Sequence, residues 1–206
     1  VLAGYASAAW LTHDFQVWTA EGARRLAVAQ HPVPVPPVTV EGPGIAAQSL
    51  PTLLAQGGGV TLVDFVYTRC QTVCLSLGSS FQQLQAALQA DRNAGATPTV
   101  RLLSISFDGA HDTPAVLQAY ARSLQADPAL WHWVRVPDAA EQQALLQRLG
   151  VMVVPDGRGD YEHNADFLVL DAQGRMVREF DMAVQQLALD LARILISEPT
   201  RTRLRP

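Results

Sequence analysis

Val60-Thr-Leu-Val-Asp-Phe-Val-Tyr-Thr-Arg-Cys70-Gln-Thr-Val-Cys74, followed by Leu77, Phe81, Leu84 and Leu88, decides how the chain is read. Val60 to Tyr67 is a β-branched and aromatic run of strand length, apolar enough to be a central strand covered on both faces. The apolar positions from 77 to 88 recur at three and four residues, with Gln82, Gln83, Gln85 and Gln89 between them, which predicts an amphipathic helix closed by Asn93-Ala-Gly95. The loop between them carries both of the chain's cysteines. A stapled secreted scaffold would spread more cysteines along the chain, so a lone close pair points to redox or metal chemistry. A helix N-terminus favours a thiolate, and Arg69 adds to this if its side chain turns toward Cys70. Three intervening residues also let both sulfurs approach one ion or each other. Buried cysteines often serve only as small apolar side chains, but the placement of both at one junction argues for a functional pair.

Asp64 interrupts the apolar strand six positions before Cys70. Strand alternation puts Asp64, Val66 and Thr68 on one face leading toward the cysteine loop. A buried carboxyl there would have a raised pKa and could exchange a proton with a thiol during disulfide formation or reduction. A hydrogen-bonded structural aspartate is the alternative.

Downstream, strand patterns at Thr99–Phe107 and Trp131–Val136 alternate with helices that start at Asp112-Thr-Pro114 and run from Asp138 to Leu149, ended by Gly150. Such alternation predicts βαβ crossovers and a largely parallel centre. Ala165–Leu170 and Met176–Phe180, joined by Asp171-Ala-Gln-Gly174, predict an antiparallel hairpin, and Val184–Ile196 a last helix. The sum is an α/β class with a thioredoxin-like fold: a central mixed sheet flanked by helices, with an N-terminal extension.

Upstream, Leu50–Gln56 reads as a short helix, Val38–Val40 with Gly42-Pro-Gly44 as a strand and turn, and Thr19 as the N-cap of another helix. The proline-rich run His31–Val38 reads as a linker. Residues 1–35 are thus expected to be an extension, 36–199 the domain and 200–206 a tail. The apolar opening Val1–Leu11 is too short to span a bilayer and fits the trailing part of a signal or anchor as well as it fits an ordinary helix. With 206 residues, 49% of them hydrophobic, one sizeable core is expected. A net charge of −4 without any Lys/Arg block argues against nucleic-acid partners, and a monomer is expected.

Taken with Tyr161-Glu-His163 ahead of Phe167-Leu-Val-Leu-Asp171-Ala-Gln-Gly174-Arg175, the Asp64–Cys74 stretch resembles the Sco/SenC family, from about Pro36 to the last helix. The resemblance implies an exported domain in the bacterial periplasm, tethered to the inner membrane. It implies copper as well, with Cu(I) held by the two thiolates and Cu(II) by the thiolates and a histidine. The implied role is assembly of the copper centre of cytochrome c oxidase, by metal delivery or thiol reduction, with the apo copper-site subunit or another exported thiol protein as partner. Matched by motif, Cys70 and Cys74 take the cysteine positions and His163 the histidine, in a loop that follows Pro155–Asp160 and from which it could swing onto the sulfurs. Soft thiolates suit Cu(I) and an added imidazole suits Cu(II).

The chain departs from the family in having Gln71, Thr72 and Leu75 where Pro, Asp and Pro are usual, which implies a less rigid loop. Asp64 stands where the family usually has an aromatic or aliphatic residue, and Leu-Val-Asp-Phe before a cysteine loop is closer to thioredoxin. The alternative function is therefore a thiol-disulfide oxidoreductase without a physiological metal. Cys70 would attack a partner disulfide, Cys74 would resolve the mixed disulfide and Asp64 would manage the proton. A peroxidase of the peroxiredoxin kind has only Thr68 and Arg69 in its favour.

Overall fold

The computed structural model describes residues 4, 5, 7, 10, 12, 19–70, 73–95, 100–157, 160–164 and 166–197, with the backbone alone for 73–76. In chain order it contains α1 (Ala20–Gln30), β1 (Val33–Pro34), β2 (Thr39–Gly42), β3 (Ile45–Ser49), α2 (Leu50–Gly57), β4 (Val60–Val66), α3 (Val73–Asn93), β5 (Val100–Ser106) and α4 (Pro114–Ser123). There follow β6 (Trp131–Arg135), α5 (Ala139–Leu149), β7 (Val153–Pro155), β8 (Tyr161–His163), β9 (Asp166–Leu170), β10 (Arg175–Asp181), a 3₁₀ turn at Met182–Val184 and α6 (Gln185–Ser197).

Among the described residues, eight strands form one mixed sheet in the order β1-β10-β9-β4-β5-β6-β2-β3. Its centre is parallel, with Asp64 of β4 opposite Ser104 of β5, and Ser104 opposite Trp133 of β6. All seven residues of β4 are buried, Asp64 included, as the mainly apolar run predicts. The helices start where the sequence offers a cap: Thr19, Ser49, Thr113 and Asp138 each accept a first-turn N–H. Gly150 ends α5 in the left-handed region at φ 72°.

The two faces of the sheet are covered differently. Phe81 of α3 packs 5.4 Å from both Trp131 and Phe167, and Tyr120 of α4 lies edge-on to Trp133 at 5.6 Å, so these helices share one face. On the other face Arg101 of β5 donates to the Leu53 and Leu54 carbonyls of α2, while Arg24 of α1 donates to the Leu149 carbonyl of α5. Arg24 also pairs with buried Glu179 of β10, and Arg25 with Asp166 of β9 at 3.1 Å, which docks α1 onto the sheet.

Three elements differ from the sequence expectation. The proline-rich run is more than a linker, because Val33 and Pro34 pair with Met176 and Arg175 at the sheet edge, where a missing N–H is tolerated. The turn at 42–44 closes a full hairpin whose second strand, β3, was not anticipated; Gly42 is required there, since a Cβ would sit 1.9 Å from the Trp133 carbonyl oxygen. His163 lies not in a loop but in β8, which pairs with β7 in a separate two-stranded sheet. Among the described residues no helix is long and apolar enough to cross a membrane.

Candidate functional site

At the C-terminal end of β4 the chain leaves the sheet through Tyr67-Thr68-Arg69-Cys70. Tyr67 and Cys70 are both buried, and the Cys70 N–H donates to the Tyr67 carbonyl at 3.3 Å, which turns the chain back on itself. Arg69 turns to Asp108: its guanidinium grips Oδ2 of that residue through two bonds of 3.2 and 2.6 Å. Helix α3 begins at Val73, which places Cys74 in its first turn. Gln71, Thr72 and the side chains of Cys74 and Leu75 lie outside the described residues.

His163 reaches the same end of β4 from the β7–β8 hairpin. Its ring stands 5.0 Å from Phe107 and 6.2 Å from Tyr67, both near edge-on. The Tyr67 hydroxyl donates to the Asp160 carboxylate, and its ring meets Tyr161 edge-on at 5.2 Å, so Tyr67 fastens the hairpin to the strand that delivers Cys70. Tyr67, with Phe107 5.0 Å from its ring, thus joins the end of β4 to the hairpin that carries His163. Nδ1 of His163 lies 3.0 Å from the Asn164 carbonyl oxygen. A carbonyl can only accept, so Nδ1 carries the proton and Nε2 the lone pair. Burial lowers the His163 pKa, against a smaller rise from the Asn164 bond, which leaves the ring in the neutral form that can bind a metal.

Asp64 is completely buried, and neither carboxyl oxygen meets a hydrogen-bond donor among the described residues. Burial pushes its pKa up to about 7; the Ser104 hydroxyl pulls the other way but is not placed for an ordinary hydrogen bond. Ser104 accepts the Trp131 Nε1–H at 2.8 Å, so Asp64 shares the face of the sheet that α3 covers, beneath the helix that carries Cys74.

Tyr67, Phe107, Asp108, Asp112 and Asp160 were not singled out from the sequence. Tyr67 and Phe107 read there as core, and nothing local marks Asp160, 93 residues from its partner.

A model of the SCO1/SenC family matches residues 55–195, from the end of α2 to the last turns of α6. This chain belongs to the SCO1/SenC family. The SCO1 protein homolog of Bacillus subtilis (strain 168) is 25% identical over 126 residues, which is 60% of this SCO1/SenC chain; the match spans 63% of that relative's length. The structure of Bradyrhizobium japonicum ScoI with copper bound is 28% identical, covers 78% of this chain and 98% of its own, and superposes with a TM-score of 0.60. A SCO1/SenC family lipoprotein from Bacillus anthracis shares the fold at 19% identity and a TM-score of 0.66, over 82% of this chain and 97% of its own. The fold of this SCO1/SenC protein is thioredoxin-like, with the parallel βαβ centre and antiparallel flank that the sequence pattern predicts.

Proposed function

We propose that this SCO1/SenC chain handles copper as cargo, holding Cu(I) through the Cys70 and Cys74 thiolates and Cu(II) through those thiolates with His163. In this reading its partner is the apo copper-site subunit of cytochrome c oxidase, or another exported thiol protein. The chain either loads that partner with metal or reduces its cysteines. It works in the bacterial periplasm, tethered to the inner membrane through its N-terminus.

The observation that carries the reading is that His163 is a neutral imidazole with Nδ1 committed to Asn164 and its ring 6.2 Å from that of Tyr67, three residues before Cys70. The bond fixes the tautomer, and a ligand with its second nitrogen already engaged is what metal sites use. The donor set also fits: thiolate for the softer ion, imidazole added for the harder one. The test is anaerobic titration of the reduced protein with Cu(I) and Cu(II), followed by absorption and EPR. A stoichiometric Cu(II) species with sulfur-to-copper charge transfer is expected, and it should disappear in His163→Ala. Binding no tighter than that of a Cys70→Ser, Cys74→Ser protein would defeat the reading.

Asp64 favours a second reading, a thiol-disulfide oxidoreductase. In it the Cys70 thiolate attacks a partner disulfide and forms a mixed disulfide, expelling one partner thiolate. Cys74, losing its proton to the Asp64 carboxylate, then attacks the Cys70 sulfur and releases the second partner thiolate; Cys70 and Cys74 are left oxidised. A carboxyl near pKa 7 is matched to that proton transfer. Asp64→Asn should then slow reduction of a small disulfide substrate about 100-fold at pH 7, whereas in the copper reading it leaves Cu(II) binding intact.

A further inference from the structure

We propose that Asp112 is a positioning residue for the cysteine loop, holding Thr68 at the end of β4 and through it the seat of Cys70. The inference rests on Cys70 being a metal ligand or attacking thiol, and concerns how that thiol is held. Asp112 is fully buried, and four donors converge on its two oxygens. Oδ2 accepts the Thr68 N–H at 3.0 Å and the Ser106 hydroxyl at 2.6 Å. Oδ1 accepts the Thr68 hydroxyl at 2.5 Å and lies 3.1 Å from His111 Nδ1.

The need for such an anchor follows from the strand order. The ladder between β4 and β5 ends at Val66 and Ser106, and the Val66 carbonyl takes its last partner from the Phe107 N–H at 3.0 Å. Thr68 is therefore past the last rung, with a backbone donor that the sheet no longer satisfies. A carboxylate can take that N–H on one oxygen and the hydroxyl of the same residue on the other, which fixes both backbone and side chain. The same segment holds the next residue as well. Asp108 binds Arg69, and its own N–H is set by the Ser106 hydroxyl at 3.1 Å. Phe107, between them, is the aromatic wall 5.0 Å from His163. Residues 106 to 112 thus grip both residues that precede Cys70 and also abut the histidine.

Asp108, His111 and Asp112 bring their ligand atoms within 4.8 Å of one another, as a metal site would. Yet Asp112 already has four donors and Asp108 a guanidinium, so the cluster acts as a brace. Asp112→Asn would keep the shape but turn an amide against two donors on one side.

The test compares wild type with Asp112→Asn, Thr68→Val, Thr68→Ser and the Asp112→Asn, Thr68→Val pair. One readout is the pH profile of Cys70 alkylation by iodoacetamide in a Cys74→Ser background. The other is Cu(II) binding by absorption and EPR with both cysteines present. Asp112→Asn should speed alkylation and weaken Cu(II) binding, each about tenfold, as loss of an outer hydrogen-bond partner does at metal sites. Thr68→Val should reproduce most of this, the pair should be no worse than Asp112→Asn alone, and Thr68→Ser should restore wild-type values. Arg193→Ala, which removes a distant surface ion pair with Asp91, should leave both readouts unchanged. Wild-type alkylation and spectra in folded Asp112→Asn, or additive effects in the pair, would overturn the proposal. Should Asp112→Asn fail to fold, Thr68→Val against Thr68→Ser decides it alone. If wild type itself binds no copper, the copper reading fails and the alkylation arm still decides the role of Asp112.

Discussion

Asp64 sits under α3 with its carboxyl in a place that penalises charge, and this makes a single side chain a lever on stability. In the unfolded chain it ionises near its ordinary value of 3.8; in the folded protein it holds its proton to about 7. Between those values the folded state binds the extra proton, so the stabilisation present below pH 4 is lost as pH rises to 7. The span corresponds to about 4 kcal/mol at 1.36 kcal/mol per pKa unit. Asp64→Asn is therefore expected to match wild type within about 1 kcal/mol at pH 4 and to exceed it by about 4 kcal/mol at pH 8, read by urea unfolding. Equal effects at both pH values would show that the Asp64 carboxylate has a hydrogen-bond donor or a solvent path. Both cysteines and Asp64 were legible because they lie within eleven consecutive residues of one strand–loop–helix unit. His163 was not legible in that way: 93 positions separate it from Cys70, and only the resemblance selected it from five histidines.

Short elements hold the site together, and they are the part that periodicity does not reveal. A three-residue strand has too few positions to show alternation, so β7 and β8 were invisible although they carry His163. The Tyr67–Asp160 bond is what fastens this hairpin to β4. Tyr67→Phe keeps the ring and deletes the bond, and should raise amide exchange across 153–163 about tenfold, the effect of losing about 1.5 kcal/mol of hydrogen bond to a charged group. Exchange in β4 and β5 should not change. Helix α1 offers a second case. Arg24→Ala leaves buried Glu179 without its cation, and a loss of about 3 kcal/mol is expected in urea unfolding. Arg24→Ala with Glu179→Gln should recover part of that loss, because the amide has no charge to strand.

At the level of the whole molecule, the order of strands and helices was readable because each βαβ unit announces itself twice, as a buried run and as an amphipathic helix. What lay outside that grammar was the edge: β1 enters through prolines, and β3 contains Ala46, Ala47 and Gln48, residues with little strand preference. The molecule's pH response follows from its buried acids. Burial raises both Asp64 and Glu179, whereas the lowered carboxyls Glu21 and Asp127 are near the surface and screened. Wild-type stability should consequently decline from pH 5 to pH 8 in a urea-unfolding series, with most of the fall below pH 7.

The hairpin that bears His163 shares no ladder with the eight-stranded sheet among the described residues. The candidate site therefore has two sides of different make: the strand side is part of the core, while the imidazole side is joined to it by the Tyr67 hydroxyl, by ring contacts and by the packing of Val153 and Tyr161. In the copper reading, swapping three ligands for two means moving the imidazole side, and breaking the Tyr67–Asp160 bond is part of that work. Capture and surrender of the ion would then be tunable by mutation without touching either sulfur.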